Sequence, residues 1–179
     1  QKLAALQEQL KADIAPGVVR WVNPEGIHLT LKFLGEVEAS KLQAVEEVLQ
    51  ELCVAYPPFT FSYGGLGCFP SFKRPNVIWV GVEEKSGVLH SLHSTIEDRL
   101  ARLGFKPESR AFSPHLTLGR IGRRASSQER RRLGEFLRSI EVGKMGEVKV
   151  TALSLMRSDL RPTGAVYTRL ASAPLGGER

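Results

Sequence analysis

The sequence predicts an α+β fold: a duplicated, two-lobed domain in which two antiparallel sheets face a central cleft with helices on the outside. Three observations predict it. The tetrapeptide His-Leu-Thr-Leu stands at residues 28–31 and again at 115–118, about half the chain apart. Around both copies, short β-prone runs and stretches of helical periodicity follow in one order, helix, motif strand, helix, strand. In a strand, successive side chains point to opposite faces, so each copy sends His and Thr to one side and both leucines to the other. Residues 1–179 are expected to form a single domain with pseudo-symmetric lobes, its first half at about 1–70 and its second at about 76–171.

Composition narrows the classes. A chain of 179 residues with 42% hydrophobic content can bury a core. A net charge of +6 and a sequence pI near 9.6 favour a polyanionic partner such as RNA, DNA or a nucleotide. No apolar run approaches the ~20 residues of a membrane span, and there is no secretory leader pattern. Cys53 and Cys68 lack CxxC spacing and read as reduced, structural thiols, so a cytoplasmic address is expected.

The elements follow in order. Leu3, Leu6 and Leu10 predict an amphipathic helix over Lys2–Ala12, ended before Pro16-Gly17. Val18–Val22 is β-prone, 23–26 is turn chemistry, and the first motif strand is expected from Ile27 to Leu34. Ser40 caps an expected helix from Lys41 to about Cys53, which Pro57-Pro58 cannot continue. Phe59–Tyr63 alternates as a strand and leads into a loop over Gly64–Pro70. That loop is not read as a phosphate cradle, because a strand rather than a helix follows it. Asn76–Val82 is an apolar strand, and Ser86 caps a helix over Gly87–Leu103. His90 and His93 on that helix read as ordinary helix histidines, with Glu97 and Asp98 on a solvated face beside Arg99 and Arg102. The second motif strand runs from Ala111 to Arg120, and a helix capped by Ser126 or Ser127 spans Gln128–Ile140. Strands follow at Val148–Met156 and Ala165–Leu170, joined by a turn at Arg161–Gly164, and the tail from Ala171 is expected to fray. Arg123-Arg124 and Arg130-Arg131-Arg132 form either a solvated face or a landing strip for an RNA backbone.

Two imidazoles and two hydroxyls brought together suit phosphate-ester transfer. One imidazole takes a proton from an attacking hydroxyl or water while the other, protonated, gives one to the departing oxygen. Threonine hydroxyls donate to non-bridging phosphoryl oxygens, and no metal is needed.

Four stretches carry a family resemblance: both His-Leu-Thr-Leu copies, the Lys32-Phe33-Leu34-Gly35 after the first, the Gly119-Arg120 after the second, and Gly65–Pro70 leading to Val77–Val82. On these the chain resembles the bacterial and archaeal RNA 2′,3′-cyclic phosphodiesterases, first described as 2′-5′ RNA ligases, of the two-histidine phosphoesterase superfamily. The resemblance implies hydrolysis of an RNA 2′,3′-cyclic phosphate end to a 2′-phosphomonoester, with reversible 2′-5′ joining of tRNA halves, and no metal, ATP or other cofactor. It makes His28 the proton donor to the leaving 3′ oxygen and His115 the acceptor from water, with Thr30 and Thr117 holding the phosphoryl oxygens. Arg120 matches a basic position that adds charge, although ideal alternation from His115 turns it away from the pocket. Phe33 matches an aromatic position that supports the cleft or stacks on a base, although its odd spacing from His28 favours core packing. The expected partner is RNA, with no membrane, and the expected state a monomer. Within enzymes the alternative is a two-histidine phosphoesterase for small cyclic nucleotides or ADP-ribose cyclic phosphate. From another class it is a non-catalytic RNA-end binding module. Similar chains usually begin with a short apolar strand, so an upstream strand of about one ordinary length is also expected.

Overall fold

Leu6 and Leu10 lie one helical turn apart, and α1 (Lys2–Asp13) buries them together with Gln7. The computed structural model describes residues 1–161 and 164–176, with backbone alone at 160 and 161. The chain continues through β1 (Val19–Trp21), a 3₁₀ turn (Pro24–Gly26), α2 (Ala39–Ala55), β2 (Phe59–Phe69), β3 (Val77–Glu83) and α3 (Val88–Arg102). After these come β4 (His115–Ile121), α4 (Ser127–Ser139), β5 (Lys144–Val150), β6 (Ala152–Arg161) and β7 (Gly164–Pro174). Every strand pairing is antiparallel, in a sheet ordered β1-β4-β3-β2-β5 and in the hairpin β6-β7. The fold is α+β with two antiparallel sheets, as the sequence predicts.

The packing units interleave the halves of the chain. One core joins Val45, Leu52 and Cys53 of α2 and Leu89, Leu92, Ile96 and Leu100 of α3 to Phe59, Phe61, Leu153 and Ala173. The other joins Leu6 and Leu10 of α1 and Leu133 and Leu137 of α4 to Val19, Cys68, Ile78, Val80, Leu118 and Ile121. Each core thus holds one helix from each half, and strands of the first half pair in the larger sheet with strands of the second. Lobes cut at about 1–70 and 76–171 are not what packs.

Several local expectations change. The Gly64–Pro70 stretch is no loop: β2 runs on to Phe69, with a bulge between Gly64 and Leu66 and Gly65 at φ +68°. The bulge shifts the alternation by one residue, so Phe59 and Phe61, and then Leu66 and Cys68, all face helices. The single strand expected at Val148–Met156 is two strands, because the chain leaves the larger sheet after Val150 and enters the hairpin at Ala152. The tail does not fray at Ala171. β7 continues to Pro174, Leu175 is buried, and the Gly176 amide donates to Cys53 O. Pro162 and Thr163 of the expected turn, and residues 177–179 of the tail, lie outside the described residues.

Caps differ as well. Ser40 lies inside α2, whose N-cap is Glu38. At α3 the Glu84 carboxylate, rather than Ser86, accepts from the Leu89 amide, and it also takes the Ser86 amide and hydroxyl. Ser126 does cap α4, with Glu129 completing a reciprocal capping box. The first residues form α1, the helix expected there, and the hairpin sheet has two strands against five in the other. An open cavity of about 470 Å³ lies between Ile27-His28-Leu29, the end of β5 and the start of β6.

Candidate active site

The second motif is ordinary ladder. In β4, Gly81 pairs with His115, Val80 with Leu116 and Trp79 with Thr117. The leucines go inward: Leu116 and Leu118 are buried while His115 and Thr117 stay half-exposed. The expected start at Ala111 is too early, since residues 111–114 are not strand.

The first motif is not a ladder strand, contrary to the strand expected from Ile27 to Leu34. Among the described residues its only β-pairing is a single antiparallel bridge, Leu29 to Leu116. That bridge determines the geometry of the site. The two motifs do not confront one another across a gap between sheets but lie side by side. Carried one residue each way, the antiparallel register sets His28 opposite Thr117 and Thr30 opposite His115, with Cα atoms of opposed residues about 4.5–5.5 Å apart. Leu29 and Leu31 pack toward the α2/α3 core, so both imidazoles and both hydroxyls occupy the other face.

The local bonding repeats with the sequence. His28 Nδ1 lies 2.7 Å from Gly26 O, and His115 Nδ1 lies 2.7 Å from Ser113 O. A carbonyl only accepts, so each Nδ1 is the protonated, donating nitrogen of the neutral ring, which leaves Nε2 of each free for chemistry. Each ring also meets an aromatic edge: Tyr167 at 4.6 Å and 76° for His28, Phe69 at 4.8 Å and 81° for His115. The Trp79 indole lies 5.1 Å from Phe69 and 6.2 Å from His115. It covers Gly67 so closely that a Cβ there would stand 2.2 Å from the ring.

Arg120 and Phe33 both depart from ideal alternation. The register between β3 and β4 slips between Ile78 and Trp79, leaving Leu118 as the extra residue of a bulge. Leu118 and Ile121 therefore both reach the α1/α4 core, and the exposed Arg120 comes round to the side of His115 and Thr117. Phe33 is not core. Beyond Leu31 the segment follows no ladder, and the ring is 75% exposed.

Lys32, directly after the first motif, is half-buried in an ion pair with Glu97 of α3 at 2.7 Å and also donates to Lys106 O. Glu97 is thus not on the solvated face expected for it. Burial alone would raise its pKa, but hydrogen bonds from Lys32 and the Glu108 amide hold it below its ordinary value. His93 stacks on Phe112 at 3.8 Å, and burial holds its imidazole below the ordinary range despite Glu97 at 3.8 Å. Among the described residues no group of three or more His, Cys, Asp or Glu is placed to hold a metal ion, and no helix is long and apolar enough to cross a membrane. Sequence reading missed Phe69, Trp79 and Tyr167; the pairing of an apolar strand with a glycine-rich one was the available signal for the first two.

Both halves of the chain match one family model, LigT like phosphoesterase, over residues 1–79 and again over 80–167. The chain belongs to the LigT-like phosphoesterase family. Over 166 residues it is 35% identical to a protein of Methanothermobacter thermautotrophicus named RNA 2′,3′-cyclic phosphodiesterase, covering 93% of this chain and 86% of the relative. A protein of that name from Aquifex aeolicus is 36% identical over 172 residues, covering 95% and 89%. Among solved structures, a Thermus thermophilus protein superposes with a TM-score of 0.81 at 27% identity, covering 99% of this chain and 91% of that one. E. coli LigT, crystallised with 3′-AMP, superposes with a TM-score of 0.71 at 26% identity, covering 96% and 92%. Each of the two matched stretches contains one copy of His-Leu-Thr-Leu.

Proposed function

We propose that this phosphoesterase opens the 2′,3′-cyclic phosphate at an RNA end to a 2′-phosphomonoester, with His28 as general acid and His115 as general base. The observation that carries the reading is the Leu29–Leu116 bridge, because it sets each histidine beside the threonine of the other motif. The names of the relatives support RNA as the substrate class.

Each proton has a source and a destination. His115 Nε2 takes one from water as the water oxygen bonds to phosphorus. The phosphorus–O3′ bond breaks, and the proton on His28 Nε2 passes to O3′. The product carries a 2′-phosphate and a free 3′-hydroxyl, and the two rings exchange their protonation states through solvent before the next turnover. Thr30 and Thr117 donate to the non-bridging oxygens, where charge develops. Arg120 supplies positive charge on the same face, and the exposed Phe33 ring offers a stacking surface to a base. With a 5′-hydroxyl in place of water the same chemistry joins two RNA ends through a 2′-5′ linkage. Acid and base catalysis by two imidazoles requires neither metal nor cofactor, and the protein is proposed to act as a monomer.

Incubation with an oligonucleotide ending in 2′,3′-cyclic phosphate, in excess EDTA, tests this. The expected product is the 2′-phosphate. A 3′-phosphate product, or activity abolished by EDTA and restored by Zn²⁺, contradicts the assignment.

A further inference from the structure

We infer that the body of the RNA leaves the site along β4, past Arg20 and Arg120, and lies on two neighbouring turns that carry Lys73-Arg74 and Arg123-Arg124. The inference rests on the reading of the site as one for an RNA end, and adds the path of the remaining nucleotides.

Arg20 of β1 and Arg120 of β4 are direct cross-strand partners, both exposed. Val19 beside Arg20 and Ile121 beside Arg120 are buried under α1 and α4, so the two guanidinium groups share the opposite side, the one bearing His115 and Thr117. Like charges placed opposite one another are unfavourable in a sheet. Arg120 lies about 10 Å of strand beyond Thr117, too far along for its attachment point to crowd the reacting phosphoryl group and suitably placed for the next phosphate.

Past Ile121 the positive face continues. Arg123 and Arg124 stand exposed in the turn after β4, and Lys73 and Arg74 stand exposed in the turn between β2 and β3. Arg130, which the sequence groups with this basic run, is engaged with the two turns themselves instead. Its guanidinium donates to Pro75 O, Asn76 Oδ1, Gly122 O and Ala125 O. It ties the end of one turn to the other and holds both side by side. The Ile121 amide donates to Asn76 O and the Arg74 amide to Ser71 O, which fixes them further. Among the described residues, none of Arg20, Lys73, Arg74, Arg120, Arg123 and Arg124 has an acidic partner. A fixed row of unpaired cations continuous with a phosphate-handling site is complementary to a single-stranded phosphodiester backbone, whose binding releases counterions.

The test is the length and salt dependence of kcat/KM. The substrates are uridine 2′,3′-cyclic phosphate and fluorescein-labelled oligouridylates of rising length with the same end. In the wild type, efficiency should climb with length and fall steeply with salt. The variant Lys73→Gln/Arg74→Gln/Arg123→Gln/Arg124→Gln should lose most of the gain with length, roughly tenfold or more on the longest substrate. Its log–log salt slope should be shallower by about 3, close to 0.7 per phosphate contact removed. Each of the two constituent double variants should give about half that change in slope, which covers a quadruple variant that fails to fold. Lys41→Gln/Arg102→Gln, on the helices of the other core, should keep the wild-type length dependence. A quadruple variant that keeps both the length gain and the salt slope overturns the path, as does a wild type indifferent to length. If the wild type opens no cyclic phosphate of any length, the catalytic reading fails by itself. Anisotropy of the labelled oligouridylates bearing a 2′-phosphate then still reads the path through the same variants.

Discussion

The two His-Leu-Thr-Leu segments are identical in sequence and unlike in structure. The second lies in the five-stranded sheet, paired residue by residue with β3, whereas the first touches β-structure through one bridge at Leu29. Yet each histidine keeps the same Nδ1 contact to the carbonyl two residues earlier and the same edge-on aromatic neighbour. The geometry of the pair is therefore set by local bonds within each motif and by the bridge between them. Sheet membership sets only how firmly each copy is held.

Replacing either histidine removes the equivalence of the two copies outright. His28→Ala and His115→Ala should each lower kcat by ~10²-fold or more, the worth of a positioned acid or base, with melting unchanged. The double variant should be little worse than the singles if the two act as a unit, as steady-state kinetics with a cyclic-phosphate substrate will show. Next come the hydroxyls: Thr30→Val and Thr117→Val keep the shape and remove the donor, and each should reduce kcat by roughly 10–10²-fold with little change in KM. Gly67→Ala probes the ladder-held side alone. Its Cβ has no room beneath Trp79, so the indole must shift toward Phe69 and His115, at a cost of about 1–3 kcal/mol by urea denaturation together with a several-fold loss of activity.

The anchor of the first motif titrates. His93 and Glu97 both have folded pKa values below their ordinary 6.5 and 4.5, so the unfolded chain binds more protons in acid and stability must fall with pH. The His93 contribution is complete above about pH 6.5 and declines below it, and that of Glu97 is lost only below about 4.5. Thermal melts between pH 7.5 and 5 should show a modest drop, reduced in His93→Phe, which keeps the stack on Phe112 without the titrating ring. The smallest effect concerns Cys68, whose thiol burial pushes up to about 12, so thiol reagents at pH 8 should leave it unmodified until the protein unfolds.

Much of this was legible in the sequence, for stated reasons. Leucine spacing at helical period gave α1, α3 and α4 to within a residue or two, and the repeated tetrapeptide gave the four residues that the bridge brings together. Alternation failed where backbone irregularity resets it. Bulges at Gly64–Leu66 and at Leu118 reverse the faces of β2 and β4, which turned an apparent glycine loop into strand and brought Arg120 to the active side. Phe33 was misjudged because odd–even counting presumes a strand, and the segment around it has none beyond the single bridge at Leu29. The interleaved cores were invisible because nothing local records which half's helix covers which sheet.

Everything proposed for the site turns on the division of labour between the histidines, and a change of leaving atom isolates it. A substrate whose bridging 3′ oxygen is replaced by sulfur expels a thiolate, which needs no general acid. With His28 as the acid, His28→Ala should recover most of its lost rate on this substrate while His115→Ala recovers none. Rescue of His115→Ala instead, or rescue of neither, would contradict the assignment.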